Sequence, residues 1–270
     1  MTMRRQALAI WMLLTAGAAS TVTTAWAQQT VPASAPSASS TSSAPASSVD
    51  PDAVQALHTM GTYLQSLQRF RVFTDLTGER VLADGQKLQH GASATLEVDR
   101  PHRLRAVMKS ARTEREIIYD GKQATLYSPQ QKYYASVPFD GTLAQLVDAL
   151  RARYGVELPL ADLFSWGTPE AQHQKFESAM FAGQDYVGSD LCDHYAFRQS
   201  GIDWQIWITS GSKPLPRKVV VTRTDDDARP QSTSVLSWQP GFSIKPSTFD
   251  FRPPAGAKRI EAVQLPANKG

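Results

Sequence analysis

One cysteine, Cys192, stands in 270 residues. A lone thiol excludes an intramolecular disulfide framework and a cysteine-rich zinc site, whatever the compartment. Long apolar runs are scarce as well: the stretch from Ala7 to Ala19 falls well short of the ~20 residues a spanning helix needs, and no later segment is longer and apolar enough. An excess of one charge is also missing. Lys and Arg number 28 against 25 Asp and Glu, for a net +3, and Arg4 and Arg5 sit in a leader without acids, so the rest balances 26 against 25, or +1. That leaves nothing to steer the chain towards nucleic acid or any other polyphosphate. With 41% hydrophobic and 20% charged residues, the composition is that of an ordinary globular protein, not a collagen, a coiled coil or a disordered polymer.

What is present divides the chain. Residues 1–27 carry Arg4 and Arg5, then the short apolar run, then Ala25-Trp26-Ala27, the three regions of a secretory signal peptide. Cleavage is expected after Ala27. No cysteine lies near that point, so the lipoprotein route is closed and the expected product is soluble and periplasmic. Residues 28–49 are almost entirely Ser, Ala, Pro and Thr without charge or aromatic ring. Such a segment cannot bury enough apolar area to offset the entropy of ordering, so it reads as a disordered tether. A single domain is expected over residues 50–262, with a flexible tail over 263–270.

Asp50-Pro51-Asp52 is a helix opening: a capping carboxylate, a proline at the first helical position and an acid facing the positive dipole end. Val54, Leu57, Met60, Leu64 and Leu67 recur at spacings of three and four, one apolar stripe. From Phe70 the period becomes two, with Phe70, Val72, Thr74 and Leu76 on one face and Arg71, Phe73 and Asp75 on the other. Extended segments follow at 87–98, 103–109, 116–120 and 124–127, punctuated by the turn dipeptides Asp84-Gly85 and Asp120-Gly121. Thr142 and Gln145 form a capping-box pair ahead of Leu143, Leu146, Val147 and Leu150, and Gly155 can close that helix. A short helix near 159–164 precedes strands at 180–186, 191–198, 203–209, 217–223 and 233–238. The order predicts an α+β fold, one large antiparallel sheet with helices gathered on one face.

The spacing of chemistry-bearing residues argues against catalysis. The histidines at 58, 90, 102, 173 and 194 include no i, i+4 pair for a metal, and Cys192 with His194 makes at best half a site. Asp193 points to the other strand face from His194, so adjacency does not orient the imidazole. Ser210-Gly211-Ser212-Lys213 spells a serine nucleophile motif, yet glycine and the following Pro214 place it in a turn. Asp225-Asp226-Asp227 reads as a solvated hairpin tip. No metal or cofactor is expected from these spacings; paired carboxylates for glycoside hydrolysis stay open, since their separation in space is invisible in a sequence, and no site signature points to them.

The aromatics carry more. Tyr195 and Phe197 share one strand face, and Trp204, Ile206 and Ile208 another, while Trp207 points the opposite way with Gln205. A strand with large apolar groups on both faces needs cover on both, from a helix-lined cavity on one side and a packed layer or a partner on the other.

The segments Asp203-Trp204-Gln205-Ile206-Trp207-Ile208 and Pro214-Leu215-Pro216-Arg217-Lys218 resemble a bacterial family of predicted periplasmic proteins defined only as a domain of unknown function. Arg100-Pro101-His102-Arg103-Leu104, Tyr119-Asp120-Gly121-Lys122, Leu158-Pro159-Leu160-Ala161-Asp162 and Cys192-Asp193-His194-Tyr195 extend the likeness over nearly the whole folded part. Through Asp120-Gly121, Tyr127-Ser128-Pro129 and Leu215-Pro216-Arg217-Lys218, the family is also similar to the LolA-like and LppX-like lipoprotein carriers. That resemblance implies a curved antiparallel half-barrel covered on its concave face by helices, a lipid, acyl-chain or lipoprotein ligand, and no catalytic residues. Val54, Leu57, Leu64, Tyr195, Trp204 and Ile206 are the expected groove residues. A periplasmic protein partner on the same scaffold is the alternative, and a hydrolase with His194 in a pocket the third.

Overall fold

In a computed structural model, the described residues are 49–265 except Glu170. The expected leader, the tether up to Ser48 and the tail from residue 266 lie outside them. Helix α1 (Pro51–Ser66) begins as its sequence predicts: the Asp50 carboxylate accepts a hydrogen bond from the Asp52 N–H at 2.9 Å, and Pro51 takes the first helical position. Its buried stripe is Ala53, Leu57, Met60, Gly61 and Leu64.

Six strands follow, β1 (Arg69–Val81), β2 (Lys87–Asp99), β3 (Arg103–Ser110), β4 (Glu114–Tyr119), β5 (Gln123–Ser128) and β6 (Tyr133–Pro138). Helices α2 (Leu143–Tyr154) and α3 (Asp162–Ser165) interrupt them. Both halves of the Thr142–Gln145 capping box form, and Gly155 closes α2 with a left-handed φ of 63°, a conformation that favours glycine. The second series is β7 (Ser178–Val187), β8 (Asp190–Gln199), β9 (Ile202–Thr209), β10 (Pro216–Arg223) and β11 (Gln231–Pro240), with the two-residue β12 (Lys258–Arg259) near the end.

All twelve strands join one sheet in the order β12-β6-β5-β4-β3-β2-β1-β11-β10-β9-β8-β7. Each neighbouring pair is antiparallel except β12 with β6. The architecture is therefore the expected α+β one. Strand β1 is the seam of two meanders, pairing β2 on one side and β11 on the other, with Thr74 opposite both Ala94 and Leu236. Phe70, Val72 and Thr74 are buried and Phe73 is exposed, as the period of two requires.

One contiguous core draws on β1 to β5, on β7 to β11 and on all three helices. Twelve strands laid flat would span about 50 Å, about twice the ~24 Å length of a 16-residue helix. Both wings can share a core with such short helices only if the sheet curls around them, the half-barrel shape. The helices fill its concave side.

Beyond the last strand the chain crosses to α2, where the Leu265 N–H donates to the Arg153 carbonyl at 2.7 Å. This contact lies within the segment assigned to a tail from Val263 onward. Among the described residues, no helix is long and apolar enough to cross a membrane.

Candidate functional site

The six expected groove residues come together. Leu57, Leu64, Trp204 and Ile206 belong to the buried core, and Val54 and Tyr195 pack against it. Register explains the strand half of this set: Tyr195 lies opposite Ile206, and Phe197 opposite Trp204, so both pairs share the face under the helices. The Phe197 and Trp204 rings stack at 4.4 Å with 18° between planes, and Phe176 adds a third ring 5.1 Å from Phe197. The Trp204 indole N–H donates to Gln199 Oε1 at 2.9 Å, which satisfies the one polar atom of that side chain. The layer is filled by side chains: Leu64 is 1%, Trp204 2% and Ile206 0% exposed.

Polar ties between cover and sheet gather at the ends of the helices. At one end the Asp50 N–H donates to the Ala179 carbonyl at 2.9 Å. At the entrance to α2, the Tyr119 hydroxyl donates to the Gly141 carbonyl at 2.8 Å and accepts from the Gly141 N–H at 3.2 Å. His102 Nδ1 lies 3.0 Å from the same carbonyl. Helix α1 is tied to the segment after α3 by Gln65 Nε2, which donates to the Trp166 carbonyl at 2.6 Å. Between these points, Leu57, Met60 and Leu64 from α1 and Leu146, Val147 and Leu150 from α2 meet the sheet core by apolar contact.

Asp162, at the start of α3, titrates abnormally. Burial raises its carboxyl from the usual 3.8 to about 6, against the attraction of Arg151 and with a further push from Glu157. A carboxylic acid whose folded pKa lies above its unfolded one holds more protons when folded, so stability falls as pH rises from about 4 to about 6 and is level above. Asp162→Asn is accordingly expected to stabilise the fold at pH 7.5 by on the order of 1 kcal/mol or more, seen as a higher melting temperature, and to leave the melting temperature unchanged at pH 4. A melting-temperature profile over that range checks the sign; equal shifts at both ends would refute it.

On the convex face the structure decides between the two covers that the sequence left open, a packed layer or a partner. Trp207 faces away from the helices, but it is not offered to a partner: it is 5% exposed, in a small cluster with Val187, Cys192 and Val220. The cover is supplied by the chain itself. His194 stacks on the indole at 4.0 Å and 9°, and the Lys218 ammonium stands 4.3 Å from the ring centroid. His194 Nε2 meets Gln205 Oε1 at 3.0 Å, and burial lowers its pKa. The neighbouring Asp193 carboxylate accepts instead from Gln184 Nε2 and the Ser210 hydroxyl, at 2.8 and 2.9 Å. Desolvation raises the Cys192 thiol, which disfavours the reactive thiolate.

Ser210 to Lys213 form the turn between β9 and β10, and the three aspartates the turn between β10 and β11. There Asp226 caps the Ala228 N–H at 3.0 Å. Among the described residues, no three His, Cys, Asp or Glu side chains converge on one point for a metal.

Two pockets open elsewhere on the surface. One of about 470 Å³ lies between β6 and the C-terminal segment, lined by Val137, Arg259 and Ile260 among others. The second, of about 370 Å³, surrounds the β2–β3 turn and includes Arg100, His102 and Lys122. Neither the Arg100 pocket nor the enclosure of its guanidinium was anticipated. Its signal, an Arg-Pro pair after a strand, marks a turn and says nothing of burial.

A family model described as "Predicted periplasmic protein" matches residues 53–263. No curated protein matches the chain. Among solved structures, the chain is similar to LprF from Mycobacterium bovis, with 13% identity over 73% of this chain and 97% of that one and a TM-score of 0.43. It is similar also to the lipoprotein LppX of Mycobacterium tuberculosis, at 9% identity over 73% and 100% and a TM-score of 0.42. A LolA superfamily protein from Nitrosomonas europaea matches at 9% over 74% and 97%, with a TM-score of 0.35.

Proposed function

This chain belongs to the DUF2092 family of predicted periplasmic proteins, and from that premise we propose that its domain, residues 50–262, is a non-enzymatic binder of a lipid or other long apolar ligand. Residues 1–27 act as the signal peptide and 28–49 as a tether in this reading. The ligand enters between the sheet and its helical cover, against Val54, Leu57, Leu64, Tyr195, Trp204 and Ile206. One observation carries the proposal: between polar ties at their ends, α1 and α2 meet the sheet through apolar side chains.

Apolar contact is non-directional, so another apolar surface can replace it at little net cost. Magnitudes decide what can do so. Lifting Leu57, Met60 and Leu64 of α1 off the sheet forfeits about 1.5–3 kcal/mol each, or roughly 5–9 kcal/mol in all. An acyl chain regains about 0.8 kcal/mol per buried methylene, so roughly ten methylenes offset the displaced helix. Short apolar molecules cannot open this layer, whereas a fatty chain of ordinary length can.

Native mass spectrometry of protein taken from periplasm, before and after solvent extraction, tests the reading. The expected result is an extractable mass of acyl-lipid size, with hydrogen exchange in α1 slower after extraction than before. Protein that carries no such mass, and whose α1 amides do not respond to added C16 or C18 fatty acid, would overturn it.

A further inference from the structure

Arg100 follows β2 in the turn to β3, and its N–H donates to the Gln68 carbonyl at 2.8 Å. Its side chain runs inward. The guanidinium carbon lies 5.9 Å from the Phe70 ring centroid and 5.8 Å from that of Phe164, two rings each 1% exposed. Phe70 belongs to the sheet and Phe164 to α3, so the cation stands where the helical cover meets the sheet. Nε and Nη2 are enclosed and meet no hydrogen-bond acceptor among the described residues. Burial lowers its pKa, yet a guanidinium stays charged at any physiological pH. The residue as a whole is half-buried and Nη1 is not among the enclosed atoms, but guanidinium N–H groups held out of water without an acceptor are costly, and such groups are ordinarily paired.

The carboxylates nearby are already engaged. Asp99 pairs with Arg103 at 2.7 Å. Asp120 accepts from the Lys122 and Gln123 N–H groups, both at 2.8 Å. Both acids line the 370 Å³ pocket together with Arg100, His102, Arg103 and Lys122, and three permanent cations against two acids leave that pocket a surplus of one positive charge. Its lining is polar, and neither Phe70 nor Phe164 is part of it; Arg100 alone belongs both to the pocket wall and to the neighbourhood of those two rings of the apolar layer.

We propose that this pocket receives the anionic headgroup of an amphiphile, a carboxylate or phosphate that accepts from the Arg100 guanidinium, while its chain passes Phe70 and Phe164 into the apolar layer. This rests on the binding function proposed above and adds a ligand class to it: a long-chain anion is preferred to a neutral lipid of equal length. A charge-assisted bond to a guanidinium out of water is among the stronger hydrogen bonds, and its loss is expected to weaken binding at least about tenfold.

The test uses the mature protein with cis-parinaric acid, its methyl ester and inorganic phosphate, for the wild type, Arg100→Met and Arg100→Lys. The wild type is expected to bind the acid about tenfold or more tightly than the ester. Arg100→Met should remove that preference while keeping ester affinity, and Arg100→Lys should retain part of it. Arg100→Met should melt no lower than wild type, because an unpaired buried charge is replaced by an apolar chain of similar length. Should it fail to fold, the wild type alone still decides: protonating the acid near pH 4 must abolish its advantage over the ester. Equal binding of acid and ester by the wild type overturns the headgroup site but leaves the lipid binder standing. Binding of neither overturns both. Phosphate that stabilises the wild type but not Arg100→Met, with no binding of the acid, overturns the amphiphile in favour of a free anion.

Discussion

Gly61→Val is expected to lower the melting temperature by about 6–12 °C, from a cost of about 3 kcal/mol at 2–4 °C per kcal/mol for a domain of this size. Helix α1 and the segment after α3 touch here backbone to backbone. A Cβ on Gly61 would lie 2.5 Å from the Gly167 nitrogen and 2.8 Å from its Cα, and main-chain atoms cannot rotate away as a side-chain tip would. Gly61→Ala suffers the same contact but recovers about 1 kcal/mol of helix propensity, so its loss should be smaller. The reciprocal change is doubly penalised. Gly167 has φ of +81°, and its Cβ would meet the Gly61 carbonyl oxygen at 2.3 Å, so strain of about 1–3 kcal/mol adds to the collision. Gly183→Ala separates the two causes, because Gly183 has φ of +112° with nothing within 4 Å of its Cβ position. Thermal melts should rank Gly167→Ala well below Gly183→Ala; equal losses would mean that conformation alone, not the helix contact, selects glycine at 167.

Glu97→Ala is expected to cost about 3 kcal/mol, read as a shift in the urea midpoint. Glu97 is 6% exposed and stands at the centre of a ladder on the convex face. Arg71 donates to its Oε1 through Nη2 and, at 3.0 Å, through Nε; Arg105 Nη1 reaches Oε2 at 3.3 Å. Register builds the ladder, since Glu97 lies opposite Arg71 on β1 and Arg105 on β3. Without the acid, two guanidiniums face each other across a buried gap. Breaking a buried pair from one side costs about 3–5 kcal/mol, and the low end applies because Arg71 and Arg105 keep side-chain exposures of 25% and 36%. Arg105 also retains Glu116 at 2.5 Å. Adding Arg71→Met to Glu97→Leu should recover at least half of the loss, since Arg71 already lies on the Phe242 ring at 3.6 Å and an apolar chain can take that place. A loss below 1 kcal/mol for Glu97→Ala would show that the ladder is ornament to the sheet.

Most of the elements could be read because their causes are local. The Asp50 cap, the Thr142–Gln145 box and the Gly155 close each depend on residues within a few positions, and each forms as read. The strands with strict alternation were legible for the same reason. Strand β6 was not: Tyr133 to Pro138 alternates poorly, and only Tyr133 and Pro138 in it are exposed. Strand β12 has two residues, held by parallel pairing with Tyr133 and Tyr134, a partner more than a hundred positions away. The groove candidates could be placed in or against the core because large apolar groups at helix and strand periods seldom face water. Arg100 escaped because an arginine after a strand ordinarily points into solvent.

The sequence by itself determined a near-neutral chain with one cysteine, the periods of its helices and strands, and which side chains share a face. These follow from φ/ψ sterics, turn chemistry and side-chain polarity over short windows. Only the tertiary structure decided which face of β8 and β9 lies under the helices, that Trp207 on the other face is roofed by His194 and Lys218, and that Gly61 rests on Gly167. It also decided that Nε and Nη2 of Arg100 lie enclosed near Phe70 and Phe164 without an acceptor among the described residues. Each of these depends on how strongly a twelve-stranded sheet curls and on pairs far apart in the chain. Curl and distant contact are set by the packing of the whole core, which no short stretch of residues encodes.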